Sequence, residues 1–143
     1  MEFETFQEAV WKAKTETPLL FELEHDNIPM LQDVTAFQEQ YQIILPEKYI
    51  QFLLSFGGGY LGYAIIYSLD KNSDFFIFNH NPTRVEDLLF MADNECGDYY
   101  AFRMEGVKCS EEIVFYDYES NTVQGAEFSD VFEYLVKMGL HPQ

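Results

Sequence analysis

Three carboxylates crowd one short stretch of this sequence: Asp93, Glu95 and Asp98, in Asp93-Asn94-Glu95-Cys96-Gly97-Asp98. A pair of such groups facing each other across a cleft could act as general acid and base on a glycosidic bond. The chain, however, holds 25 Asp and Glu in 143 residues, so close carboxylates are expected by chance, and nothing marks which two would oppose each other. Calcium chemistry needs oxygen ligands at the EF-hand spacing, with a Glu closing a twelve-residue loop, and the stretch lacks that pattern. An acidic, solvated loop fits it better. His25, His80 and His141 are scattered, with no two at i, i+4 spacing, so no zinc site is expected. Ser68 and Ser73 lack the strand–turn–helix setting of an activated nucleophile. Gly57-Gly58-Gly59 follows a helical pattern, whereas a phosphate-cradling loop precedes a helix N-terminus. A helix C-cap and a tight passage into a strand account for those glycines. No catalytic residue, cofactor or metal ligand is therefore expected.

The elements that position these residues follow from periodicity. Phe3, Phe6, Val10 and Ala13 recur at helical spacing, with Ala9 and Trp11 beside them, and predict a helix over 3–14 that Pro18 ends. Leu19 to Glu24 is an apolar patch without a clear period. Pro29 opens a second helix carrying Leu31, Val34, Phe37 and Tyr41. Pro46 starts a third at a position where its missing N–H costs nothing. Tyr49, Ile50, Phe52, Leu53, Leu54 and Phe56 make that helix apolar almost all round, which predicts burial. After the glycines the pattern turns to strand at Tyr60–Leu69 and, past a turn at 70–73, at Phe75–Phe78. Asn81-Pro82-Thr83 reads as the start of a helix to about Met91, with Thr83 and Glu86 at capping-box spacing. Strands follow at Tyr99–Arg103, Glu112–Tyr118 and Thr122–Gln124. Ser129 is placed to cap a last helix with Val131, Phe132, Leu135 and Val136 facing inward and Gly139 at its end. The order of elements, without repeat, low-complexity tract or linker, predicts one α+β domain over residues 1–143.

The formal net charge is −17, yet hydrophobic residues make up 48% and aromatic residues 17% of the chain. That is too apolar for a disordered acidic tail, so the charge must sit on a packed domain. Such a surface should repel nucleic acid and anionic membranes and attract a positive partner. The plainer account is that the acidity serves solubility alone. No leader pattern and no apolar run long enough to span a bilayer is evident, so a cytoplasmic protein with Cys96 and Cys109 as free thiols is expected.

The segment from Asp93 to Glu119 holds eight acidic and two basic residues, a net −6, together with Tyr99, Tyr100, Phe102, Phe115, Tyr116 and Tyr118. Strand alternation sends Tyr99 and Tyr100 to opposite faces, so one set enters the core while the other can stand among carboxylates. Tyrosine supplies contact area and carboxylates supply steering toward a partner rich in Lys and Arg. The candidate partner-binding residues are Asp93, Glu95, Asp98, Tyr99, Asp117, Tyr118 and Glu119. The alternative is that all these aromatics pack internally.

In order along the chain stand Phe37 to Tyr41, Leu45-Pro46, Tyr49 through Phe56, Gly57 to Gly59, Gly97-Asp98 before a strand, Ile113 to Tyr118, and Phe128-Ser129 with Phe132, Tyr134 and Leu135. With these features the chain resembles the SUKH superfamily, which includes fungal cell-wall synthesis regulators and many bacterial immunity proteins. It departs from the family habit of a polar residue just before the glycines, carrying Phe56 there. The resemblance implies a bent mixed or mainly antiparallel sheet flanked by helices and no enzymatic activity. It also implies a bacterial immunity role: binding and neutralising a secreted toxin domain, often a nuclease. A nuclease presents a cationic surface to phosphate, which an acidic protein can occupy. The second reading is a non-enzymatic adaptor regulating a cell-wall or signalling pathway.

Overall fold

The computed structural model describes residues 1–80 and 85–141. Helix α1 (Phe3–Glu16) is followed by a 3₁₀ turn (Pro18–Phe21), helix α2 (Leu31–Tyr41) and helix α3 (Glu47–Phe56). Strands β1 (Gly59–Leu61) and β2 (Ala64–Ile66) form an antiparallel pair. Strands β3 (Leu88–Asp93), β4 (Tyr99–Glu105), β5 (Lys108–Asp117) and β6 (Thr122–Phe128) form an antiparallel sheet in that order, and helix α4 (Val131–Gly139) closes the chain. The Tyr67 amide donates to the Met91 carbonyl at 2.8 Å, fastening the small sheet to the edge of the large one. The fold is α+β and mainly antiparallel, as expected. Among the described residues, parallel pairing is confined to the bridges Ile44–Lys108 and Ser68–Phe76. Among the described residues no helix is long and apolar enough to cross a membrane.

The helices form where the apolar period runs. Phe6 and Val10 are the buried face of α1, while Trp11 stands 74% exposed. Phe6 stacks on Phe132 of α4 at 4.7 Å and meets Phe56 of α3 edge-on at 5.7 Å, joining three helices through one ring. Pro46 occupies the N-cap of α3 rather than its first turn. The freed Glu47 amide is taken by the Glu111 carboxylate of β5 at 3.0 Å. Within α3, Tyr49, Phe52 and Leu53 are buried, whereas Ile50, Leu54 and Phe56 are half-buried, so burial favours one face. Leu53→Ala should therefore cost about 2–5 kcal/mol in urea melts, through lost transfer energy and a cavity, and half-buried Leu54→Ala should cost less. Equal effects at the two positions would misplace the core.

The three glycines have distinct reasons. Gly57 ends α3 at φ +76°, its amide reaching the Leu53 carbonyl at 3.0 Å. A Cβ on Gly58 would lie 2.6 Å from Ser68 Cβ, and one on Gly59 2.6 Å from His25 Cα. The run lets two neighbouring segments close on the passage from helix to strand.

Several expectations are corrected. The helix expected to run to about Met91 is strand β3 from Leu88 onward, while its expected start at 81–84 lies outside the described residues. Leu88 to Ala92 are buried without a break, so no alternation betrays the strand. Tyr60–Leu69 is not one strand but two, broken by a turn at Gly62 and Tyr63. Phe75–Phe78 is a single bridge followed by a 3₁₀ turn (Ile77–Asn79). The cap of α4 is Asp130, which accepts from the Glu133 amide at 2.9 Å. Ser129 instead donates to the Glu133 carboxylate at 2.6 Å. Asp130 also takes the chain's N-terminal ammonium at 2.6 Å and Lys48 Nζ at 2.9 Å, tying α1, α3 and α4 at a site where its side chain is 3% exposed.

Candidate functional site

Antiparallel pairing carries Asp93, Tyr99, Tyr116 and Val123 in a row across β3, β4, β5 and β6. This places the loop between β3 and β4, residues 94–98, beside the turn after β5, residues 118–121. The Tyr118 amide donates to Asp98 Oδ1 at 3.3 Å, and the Tyr99 and Tyr118 rings lie 6.3 Å apart. All seven candidate residues thus meet at one end of the four-stranded sheet.

They do not play equal parts there. Asp93 accepts from the Tyr67 hydroxyl at 2.6 Å through Oδ2 and from the Glu95 amide at 2.8 Å through Oδ1. Asp117 Oδ1 accepts from the Glu119 and Ser120 amides at 3.1 and 3.3 Å. These are Asx turns, the local use of a short carboxylate that shapes a loop. Asp93, Asp98 and Asp117 consequently build the site and are half-buried, while Glu95 and Glu119 stand exposed on it. Glu95 and Asn121 hold φ near +60 and +55°, part of the tight course of the two loops. Tyr118 is 44% exposed, whereas Tyr99 is half-buried against Phe90 at 5.3 Å. Of the two expected aromatic anchors, Tyr118 has the open face.

Burial and neighbouring carboxylates both act on the tyrosines here. Burial, then the Asp93 charge, raises the Tyr99 hydroxyl above its ordinary pKa. A hydrogen bond to Glu95, then burial and nearby carboxylates, raises Tyr60. Burial and then the bond to Asp93 push Tyr67 up further. All three phenols stay protonated at neutral pH, so they act here as hydrogen-bond donors and contact surface.

Sequence reasoning missed Tyr60, Tyr67 and Asn94. Tyr60 comes from β1 and Tyr67 from just after β2, and only the tertiary fold brings them to Glu95 and Asp93. Asn94 accepts from the Cys96 and Asp98 amides at 2.8 and 3.1 Å through its side-chain Oδ1. An Asn at a loop start is a legible turn signal. Cys96 is a free exposed thiol and Cys109 a free buried one, its thiol pushed up to about 12 by burial first and then by Glu111. Among the described residues no group of three or more His, Cys, Asp and Glu is placed to hold a metal ion.

Among the described residues, the ion pairs gather on Asp130 and on Glu133 with Lys137, at the α4 end. The carboxylates of the sheet end are left without cationic partners in that set. What the arrangement offers chemically is an anionic face on which the Tyr118 ring is 44% exposed.

A family model described as SMI1-KNR4 cell-wall matches residues 31–134, from the first residue of α2 into α4. No curated protein matches the chain.

Proposed function

Since the chain belongs to the SMI1-KNR4 cell-wall family of the SUKH superfamily, we propose that it is a cytoplasmic immunity protein that binds and blocks a toxin domain, a nuclease above all. SUKH domains include immunity proteins and SMI1-KNR4-like proteins, which are generally non-enzymatic. Immunity-type members usually bind cognate toxins. The observation that carries the reading is the convergence of Asp93, Glu95, Asp98, Tyr99, Asp117, Tyr118 and Glu119 at one sheet end of a chain of net charge −17. A nuclease must carry cations for phosphate, and this face opposes them with carboxylates set by their own loops.

Co-expression with the toxin domain encoded beside it should restore growth, and the two proteins should form a complex whose association slows with salt. Glu95→Lys with Glu119→Lys should slow association roughly tenfold or more, the scale of lost steering, without unfolding the domain. Tyr118→Ala should raise the off-rate. Asp93, Asp98 and Asp117 are unsuitable for charge reversal, because Asp93 and Asp117 hold amides of their own loops and Asp98 holds the Tyr118 amide of the neighbouring turn. Full protection by the double variant would remove this face from the interface. The family's cell-wall description also favours a second reading, a regulatory adaptor. Failure to bind any neighbouring toxin, with a cell-wall phenotype on deletion, would establish that reading instead.

A further inference from the structure

Strand β6 forms one edge of the four-stranded sheet. The opposite edge is closed, since the Tyr67 amide bonds to the Met91 carbonyl of β3. The start of β5, which β6 does not cover, is closed by Ile44, whose carbonyl takes the Cys109 amide at 2.9 Å. Among the described residues no backbone group pairs with the outer edge of β6. Residues 122–125 and 127 are exposed, and a Cβ added to Gly125 would meet nothing within 4 Å.

The alternation of an antiparallel ladder identifies the open groups. The Asn94 amide donates to the Asp98 carbonyl at 3.1 Å, so the next pair along, Asp93 and Tyr99, exchanges no bonds. Tyr99 therefore turns its N–H and C=O to β5, where they meet Tyr116. Tyr116 has none left for Val123, its partner on β6, so Val123 points its own N–H and C=O outward. Thr122 and Gln124 beside it turn theirs inward to Asp117 and Phe115. Past Gln124 the register slips twice, with Gly125 and Glu127 as the extra residues. Bulges of this kind twist an edge away from a further strand. The half nearer the acidic loops lacks that guard and reads Thr122-Val123-Gln124, without Pro, Lys or any charge.

We propose that the open edge at Thr122–Gln124 receives a short extended segment of a basic protein partner, which bonds to Val123 through its backbone and adds a strand to the sheet. Two observations choose that occupant. The edge continues the acidic sheet end, because Thr122 pairs with Asp117 and the turn at 118–121 leads straight into it. Acids also flank it, Asp117 and Glu119 before and Glu127 after, and no Lys or Arg lies between Lys108 and Lys137. A second copy fits poorly. Antiparallel pairing about Val123 would bring Glu119 of each copy toward Glu127 of the other, with like charges opposed. This mode of docking rests on the reading of the chain as a binder of a basic partner, and it names the backbone contact that holds that partner.

The test is NMR of the ¹⁵N-labelled full chain, read by amide shifts and by hydrogen–deuterium exchange. In the free chain the Val123 amide should exchange near the rate of an unprotected amide, while the Gln124 amide is slowed by its bond to β5. A capped Lys-Thr-Val-Thr-Val-Lys peptide should shift the Thr122 and Gln124 amides saturably and slow Val123 exchange by about tenfold or more. The same peptide with its central amides N-methylated keeps the charge, loses the donors and should do neither. Val123→Pro removes a donor that faces solvent, a place where edge strands tolerate Pro, and should abolish peptide binding with the fold intact. Val123→Lys keeps the donor and sets an edge cation against the basic peptide, so it should weaken binding about tenfold and keeps the test decisive if the proline variant fails to fold. Equal effects of the N-methylated peptide, no saturable binding of either peptide, or unchanged binding in Val123→Lys would each overturn the proposal. A Val123 amide protected without peptide, in a chain that sediments as a dimer, would assign the edge to a second copy and overturn it as well. Because the titration contains no toxin, its failure and the failure of growth protection are separate results.

Discussion

Asp130→Asn should lower stability by about 3 kcal/mol at neutral pH, near the lower end of the range for breaking a buried ion pair. Asparagine keeps the N-cap of α4, so the change removes charge alone. It leaves the N-terminal ammonium and Lys48 facing a neutral group, although Lys48, with its side chain 31% exposed, can turn partly to water. The pH dependence follows from the shifts. Burial by itself would raise the Asp130 pKa, but hydrogen bonds from the N-terminal ammonium, the Glu133 amide and Lys48 outweigh it, and the net direction is downward. A depressed carboxyl contributes stability above its unfolded pKa of about 3.9 and loses it as pH falls through the folded value. Lys48 is raised, chiefly by its hydrogen bond to Asp130. Its contribution persists through the ordinary lysine range and is lost as pH climbs through the raised folded value. The gap between wild type and variant in urea melts should therefore be full at pH 7 and shrink below about pH 4. A gap that stayed constant down to pH 2 would show that Asp130 acts by packing and not by charge.

Gly62→Ala should also be strongly damaging, at roughly 2–6 kcal/mol, the sum of left-handed strain and forced overpacking. Gly62 sits at φ +61° in the turn between β1 and β2, where the Tyr63 amide donates to the Gly139 carbonyl at 2.8 Å. A Cβ there would lie 2.1 Å from that same carbonyl oxygen, and backbone cannot swing aside as a side chain would. Gly106 supplies the control. It has the same φ of +61°, and an added Cβ meets nothing within 4 Å. Gly106→Ala should thus report the backbone strain alone, about 1–2 kcal/mol. Thermal or urea unfolding of both variants isolates the steric part as their difference. Equal losses would mean that the end of α4 does not press on the turn as described.

Much of the fold was legible because its helices advertise themselves. Phe6 and Val10, Val34 and Phe37, and Val131, Phe132 and Leu135 recur at the helical period and are buried where that period places them. Strands β4, β5 and β6 were legible through aromatic and β-branched residues with a turn at Asn121, which adopts φ +55°. Strand β3 was not, because a strand buried on both faces reads as an unbroken apolar run and periodicity cannot separate it from helix. The Gly62 turn was hidden inside a single β-rich stretch, since the two strands it separates are three residues each. At the sheet end, the seven named residues could be grouped from sequence because two neighbouring hairpins carry them. Which carboxylates would be spent on their own loops was not legible. That depends on backbone amides brought within reach only once Asx turns have formed, and on Tyr67 arriving from the segment just after β2.

The Tyr67 connection has a thermodynamic consequence. Tyr49 on α3 donates its hydroxyl to the Tyr67 carbonyl at 2.6 Å, and Tyr67 in turn donates to Asp93. The last residue of β3, from which the acidic loop springs, is thereby bolted to a helix in the core, while Asp98 pins the neighbouring turn through Tyr118. A loop held in this way has already given up most of its backbone freedom during folding. A partner docking on it would meet little further ordering entropy, a cost of about 0.5–1.5 kcal/mol for each side chain that has to be immobilised at an interface. The polar bonds that look merely structural at this sheet end would then act on affinity by making the surface stiff before anything arrives.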